Sequence, residues 1–469
     1  MTMLRIELPE NAQLARPRLL VEAAAGVPLD ILSERLGAFV TLRRSLEGDD
    51  VEFIAGTKVG SVQVGGLRVD VMPRLGSPEL ATLIRYALGG PVEAMERSHI
   101  GHERVGLDEL LCLIFAEELA QIRQIGLSRR YVDRRQWVSA LRGRPDFLGS
   151  FPWNDAGMAS IVCRFHELTC DNLDNQLVLA GLERACLMAV SVDTRRKLLD
   201  HRQAWASLAS PMSAAGRSEF AKARGKYTRL SEHYRLGHNL AEIILQGLSP
   251  AAVYEAGEQP TRGLYVDIPY LFERFVERLL RNAIKGRGLR IESQQSDRGA
   301  LIDAEGNLYR SVRPDLMLYD QDTPVAVLDA KYKDYWEADP GSGAPKQRIS
   351  NEDLYQLFFY AQRLQIRHQL ATAPAAVIVS PLPAEDERYG GAVIGKRYRR
   401  VVWRAGAGDE VGVSLMLLPM TRILRALRAH RVPAKREYLS HLAGWLIEKC
   451  VDSDESHADD FLFPHPSPM

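Results

Sequence analysis

The hydrophobic positions change their period along the chain, and each change marks a boundary. Over 51–54, 58–64 and 67–72 apolar and polar residues alternate as in strands, with Gly65-Gly66 as a two-residue hairpin turn between the last two. Residues 1–90 are therefore expected to form a small β-rich unit. After Pro78 the spacing becomes helical: Leu107, Leu110, Leu111 and Ile114 share one stripe, and long amphipathic stretches run over 173–200 and 217–247. This predicts a helical middle domain over 91–255, ended by breakers at Ser249-Pro250 and from Gly257 to Gly263. Strand and helix patterns then alternate over 256–450, with strands expected at 316–319, 325–328, 375–380, 398–403 and 411–418 and closing helices at 421–430 and 435–449. The fold class is α/β. Residues 451–469, acidic and then Pro-rich, are expected to be disordered.

The chemistry-bearing residues gather in the α/β segment. Arg313-Pro314-Asp315 is followed, fourteen positions on from Asp315, by Asp329-Ala330-Lys331-Tyr332-Lys333. The intervening residues read as two strands joined by the turn-rich 320–324. A hairpin centred near Asp322 sets Asp315 opposite Asp329, with Cβ atoms roughly 5 Å apart. Alternation places Asp329 and Lys331 on one face and leaves the Ala330 carbonyl near them as a third oxygen. Charges at the end of a strand that is apolar on both faces need a compensating cation. Mg2+, with Mn2+ as a substitute, suits oxygen ligands completed by water and a substrate phosphate. The expected chemistry is phosphodiester hydrolysis, with Lys331 orienting the attacking water and offsetting charge on the phosphate. Asp-x-Lys alone is common as a same-face ion pair; the upstream Pro-Asp, the buried strand and the following helix set this one apart.

That helix opens with Ser350 as N-cap and carries the apolar stripe Leu354, Leu357, Phe358, Ala361 and Leu364. Gln356 and Tyr360, four apart, project together, where an amide and a phenol can bind a DNA backbone or hold the attacking water; an amphipathic surface helix would show the same pair. Upstream, Glu273 in the helical run 272–276 can approach the metal from the opposite side or form a solvent ion pair. His166, His233 and His238 lack the spacing of paired ligands and read as structural.

Taken in order, these segments resemble the PD-(D/E)XK nuclease superfamily and, within it, the McrC family, nuclease subunits of McrBC-type modification-dependent restriction systems. The resemblance rests on Phe272-Glu273 in a helix, Asp315 on a strand, Asp329 to Tyr332, and Asp353 to Tyr360. Upstream it includes Arg142-Gly143-Arg144 with Asp146-Phe147, and Phe165 to Leu168 through Asp171 to Asn175; it covers 90–430, while 1–90 are absent from shorter members. It implies a C-terminal restriction-endonuclease-like domain with a mixed sheet. The implied metal ligands are Asp315 and Asp329, with Glu273 as a further one, and Lys331, Gln356 and Tyr360 complete the catalytic set. A hexameric AAA+ GTPase of the McrB type is the implied partner, its hydrolysis stimulated by this subunit.

Composition narrows the setting. The chain is 46% hydrophobic with no run of eighteen apolar residues and a charged start, so a cytoplasmic enzyme without membrane insertion is expected. Five cysteines without C-x-x-C spacing point to neither a zinc ribbon nor a disulfide framework. With no Gly-x-x-x-x-Gly-Lys-Ser/Thr loop, nucleotide binding by this chain is not expected. Net charge is zero, yet seven arginines face the single acid Asp133 between positions 123 and 144. Arg129, Arg130, Arg134, Arg135, Arg142 and Arg144, interleaved with Tyr131 and Trp137, can track DNA phosphates, as can Lys333. The same arginines can instead face water or an acidic partner, and 396–400 form a second basic cluster. Alternative readings are a non-cleaving subunit that mainly activates the GTPase, or a motor-independent DNA nuclease.

Overall fold

In the computed structural model the described residues are 3–45, 49–90, 105–154, 160–212, 215–246, 262–294, 297–302, 307–338, 345–382, 398–406, 409–428 and 444. The first part runs β1 (Leu4–Pro9), β2 (Gln13–Pro17), α1 (Arg18–Ala25), α2 (Leu29–Leu36), β3 (Val40–Arg44), β4 (Asp50–Ala55), β5 (Lys58–Val64) and β6 (Leu67–Met72). The three strands expected from period-2 alternation are β4, β5 and β6. Gly65 turns the hairpin with a φ of 57°, a conformation open to glycine without steric cost. Ile6, Val21, Leu32, Phe53, Val64 and Val69 close a core of their own between the sheets and the two helices.

The middle comprises α3 (Ser77–Ala87), α4 (Leu107–Ile125), β7 (Arg130–Val138), β8 (Arg144–Pro145), α5 (Phe147–Asn154), β9 (Ile161–Thr169), α6 (Leu173–Met188), α7 (Val192–Ala206), α8 (Arg217–Arg224) and α9 (Arg235–Gln246). The α4 stripe is buried as its spacing requires, in a core shared with Leu177, Leu182, Trp205 and Leu240. This middle is not wholly helical: β7, β9 and β8 form a three-stranded antiparallel sheet. Tyr131, Asp133, Arg135 and Trp137 on one side of β7 are all exposed, so the strand has no buried apolar face whose period could reveal it.

The last part runs β10 (Arg262–Asp267), α10 (Ile268–Ala283), β11 (Leu289–Ser293), β12 (Asp297–Ile302), β13 (Leu308–Val312), β14 (Leu316–Asp320), β15 (Thr323–Ala330), β16 (Trp336–Ala338), β17 (Pro345–Gln347), α11 (Asn351–His368), β18 (Ala375–Pro381), β19 (Tyr398–Gly406), β20 (Asp409–Leu418) and α12 (Met420–Arg428). Although a boundary was expected near 255, β10 pairs antiparallel with β5 of the N-terminal unit. Gly60 permits this, because a Cβ there would lie 2.1 Å from the Leu264 carbonyl oxygen. The expected helix at 435–449, apart from Gly444, and the acidic tail lie outside the described residues.

A six-stranded mixed sheet, in the order β11-β14-β15-β18-β20-β19, forms the centre of this part. Strands β15, β18 and β20 are mutually parallel. Alternation divides their side chains between two cores. Leu316, Leu318, Leu328, Val377 and Val379 pack with Phe272 and Phe275 of α10. Met317, Tyr319, Val327, Ile378 and Leu415 pack with Leu357, Ala361 and Leu364 of α11. By the same parity, Asp315, Asp329 and Lys331 belong to the α11 side and Ala330 and Tyr332 to the α10 side. Ser350 caps α11 as expected, accepting from the Asp353 amide, a contact worth about 1 kcal/mol.

Candidate active site

The hairpin of β14 and β15 creates the site. Leu316 pairs with Leu328, so one further step along the ladder sets Asp315 opposite Asp329. The turn between Asp320 and Thr323 is tighter than one centred on Asp322, and an irregularity between Leu318 and Tyr319 restores the register. Asp315 is bracketed by backbone. Its carbonyl accepts from the Gln294 amide at 2.9 Å, and its Oδ2 accepts from the Ala330 amide at 2.9 Å. The neighbouring Lys331 amide donates to the Val379 carbonyl at 2.9 Å, which fixes the segment against β18.

Lys331, Gln356 and Tyr360 form one relay. The lysine Nζ lies 2.8 Å from Asp329 Oδ2 and donates to Gln356 Oε1 at 3.2 Å. Gln356 Nε2 in turn donates to the Tyr360 hydroxyl at 2.8 Å, which reaches the Arg313 carbonyl at 3.5 Å. Glu273 stands on α10, on the other side of the sheet. It accepts from Gln294 and is close enough for its charge to act on Asp315.

Burial governs the electrostatics. The Asp315 carboxyl is pushed up to about 8, first by burial and then by a hydrogen bond to, and the charge of, Asp329. Glu273 is raised chiefly by burial, against a hydrogen bond from Gln294. For Lys331, burial opposes the charge but Asp329 more than offsets it, so the ammonium is held above its ordinary range. It is a cation at neutral pH and cannot act as a base.

These features fit a divalent cation. Asp329 is 2% exposed, its Oδ2 is paired with the Lys331 ammonium at 2.8 Å, and its carboxylate shares a hydrogen bond with Asp315. Two carboxylates buried side by side repel each other unless a proton or a metal ion joins them, and here the strain shows as the raised pKa of Asp315. Among the described residues no group of three His, Cys, Asp or Glu side chains is placed to hold a metal. The ligand set would therefore be two carboxylates completed by backbone, water or phosphate oxygens, as Mg2+ accepts.

The other expected contacts are more committed. Lys333 Nζ bonds both oxygens of Asp353 at 2.9 and 3.0 Å, although its side chain is 47% exposed. Arg130 pairs with Asp174, Arg134 with Glu167 and Asp171, Arg135 with Asp146, and Arg142 with Glu167. Arg129 and Arg144 are exposed. In the second basic cluster, Lys396 and Arg397 lie outside the described residues and Tyr398–Arg400 begin β19. His238 is structural: it is fully buried and hydrogen-bonded to Tyr227 and to the Asp174 carbonyl.

Sequence reasoning assigned no contact to two acids that brace the site. Asp353, 1% exposed, accepts from Ser350, Lys333 and Tyr335, which outweigh its burial and lower its pKa. Its capping position was a signal for Ser350 alone. Glu10 accepts from the Tyr332 hydroxyl at 2.9 Å across 322 positions, and no local pattern could announce that pairing.

The site and sheet define a mixed α/β protein with a paired-carboxylate, lysine-flanked centre. The chain belongs to the McrBC 5-methylcytosine restriction system component family, whose model matches residues 54–370, well over half of its length. Among solved structures, the fold is similar to that of a chain in the refined half-complex from the tetradecameric assembly of Thermococcus gammatolerans McrB AAA+ hexamers with bound McrC. That match has 20% identity and a TM-score of 0.53, and covers 89% of this chain and 95% of that one. A chain of the cryo-EM structure of the Thermococcus gammatolerans McrBC complex matches with 21% identity and a TM-score of 0.40, covering 60% of this chain and 88% of that one. No curated protein matches. No helix among the described residues is long and apolar enough to cross a membrane.

Proposed function

We propose that this chain is the Mg2+-dependent DNA endonuclease subunit of an McrBC-type restriction system, a cytoplasmic McrC-like protein cutting foreign, modified DNA. It would act with an McrB-like hexameric AAA+ GTPase whose hydrolysis it stimulates. The observation that carries the reading is the convergence of Asp315, Asp329 and Lys331 at the end of β15, against a helix that presents Gln356 and Tyr360. The six-stranded sheet with helices on both sides is read as a PD-(D/E)XK core within 256–450. Residues 1–90 and 91–255 would then be the supporting units.

The chemistry is attack of water on a phosphodiester, with one P–O bond formed and the P–O bond to the leaving oxygen broken. Asp315 and Asp329 would hold Mg2+, or Mn2+ in its place, which supplies Lewis-acid polarisation of the phosphoryl oxygen. Lys331, a cation fixed by Asp329 and Gln356, orients the water and offsets charge developing on the phosphate. Tyr360 fixes the Gln356 amide, leaving the lysine one arrangement.

The test is plasmid cleavage by the chain reconstituted with its GTPase partner, which should require Mg2+ and stop on chelation; cleavage that persists in chelator would refute the reading. A pH dependence follows as well. Because the folded-state pKa of Asp315 is raised to about 8 from 3.8, the metal-free fold holds a proton that the unfolded chain has lost. Its contribution to stability is complete below the ordinary carboxylate range and disappears as pH rises through about 8. A bound cation displaces that proton, so the gain in melting temperature on adding Mg2+ should be larger at pH 8 than at pH 6. An equal or larger gain at pH 6, measured by thermal unfolding, would contradict the assignment of Asp315.

A further inference from the structure

We infer that Glu10 of the N-terminal unit and Tyr332 form a strut that positions Lys331, so that Glu10, far from the site in sequence, is a positioning residue for cleavage. This rests on the endonuclease reading above. β15 ends at Ala330, and residues 331–335 have no regular structure. The lysine is thus carried on irregular backbone whose placement depends on individual anchors.

The Lys331 amide is held by Val379, Lys333 by Asp353 and, through its carbonyl, by Ser380, and Tyr335 by Asp353. All of them lie on the C-terminal sheet or on α11. Tyr332 points the other way. Its ring lies on Phe272, with centroids 5.8 Å apart, and its hydroxyl donates to Glu10 Oε1 at 2.9 Å.

Glu10 is 3% exposed. Its own amide donates to the Met72 carbonyl at 2.9 Å, and Arg74 Nε lies 3.4 Å from the same Oε1. Its other oxygen has no hydrogen-bond donor. A carboxylate kept in so dry a place is expensive for stability alone. Here it fixes the residue next to the lysine. Tyr332 is the next residue in the chain, so its anchorage on Phe272 and Glu10 limits how far the backbone that carries Lys331 can shift away from Asp329.

The experiment uses the full chain reconstituted with its GTPase partner, measuring single-turnover cleavage and DNA affinity, with thermal unfolding of the chain with and without Mg2+ as a second readout. Tyr332→Phe and Glu10→Ala should each slow cleavage by about ten-fold or more, since small displacements of a catalytic group are costly. DNA affinity and the Mg2+-induced thermal shift should be unchanged. Glu10→Gln, which keeps an acceptor oxygen for the Tyr332 hydroxyl, should recover most of the rate. The double variant Glu10→Ala with Tyr332→Phe should be no slower than either single one. Near-wild-type rates for Tyr332→Phe and Glu10→Ala, or a Glu10→Gln variant as slow as Glu10→Ala, would overturn the strut. Asp329→Ala serves as the control: if it cleaves normally, the reading of the site has failed and the strut with it, whereas an inactive Asp329→Ala beside an active Tyr332→Phe refutes the strut alone.

Discussion

Asp329→Ala is expected to abolish DNA cleavage by the reconstituted complex, by about a thousand-fold or more, since the charge stabilisation supplied by a bound metal is worth several kcal/mol. The loss should come without unfolding. Asp329 keeps the neighbouring Asp315 carboxyl protonated above its ordinary range, so its removal lets Asp315 ionise and face Lys331 in its place. Stimulation of the partner GTPase should persist, because Asp329 is buried and offers no surface to a partner. Asp329→Asn, which keeps the shape, should be equally inactive. Unchanged cleavage in either variant would remove Asp329 from the site. Lost cleavage together with retained GTPase stimulation also separates the nuclease from a subunit that only activates its partner.

Lys331→Met should lower the single-turnover rate by about a hundred-fold, the range found when one preorganised group is removed from a transition state. Methionine keeps most of the aliphatic stem, so packing near Gln356 is preserved while the charge is lost. Mg2+ binding should survive, because both carboxylates remain. With the ammonium held above its ordinary range, the wild-type rate should show no loss from lysine titration between pH 6 and pH 9. A fall with an inflection that disappears in Lys331→Met would instead mark the lysine as the titrating group. Measuring the two pH profiles in parallel decides between these outcomes.

The centre of the site was legible because its residues are local. Asp315 and Asp329 stand on adjacent strands of one hairpin, and Gln356 and Tyr360 on the next helix, so period and spacing alone brought them together. The register was reached by a different route than a turn centred on Asp322, since the observed turn is tighter and an irregularity in the ladder compensates. What sequence could not show was long-range pairing. β10 follows a run of breakers yet joins β5, and Glu10 meets Tyr332 across most of the chain. The arginine segment carries no apolar period from which a strand could be inferred. It spans the end of α4, β7 and the start of β8, and four of its expected phosphate contacts are paired with Asp146, Glu167, Asp171 or Asp174. Arg129 and Arg144 are exposed.

The most direct measurement is anomalous diffraction from crystals of the chain soaked in Mn2+. A single peak within bonding distance of carboxylate oxygens from both Asp315 and Asp329 is the predicted result. A peak elsewhere with those two carboxylates still hydrogen-bonded to each other, or none at saturating Mn2+, would contradict it.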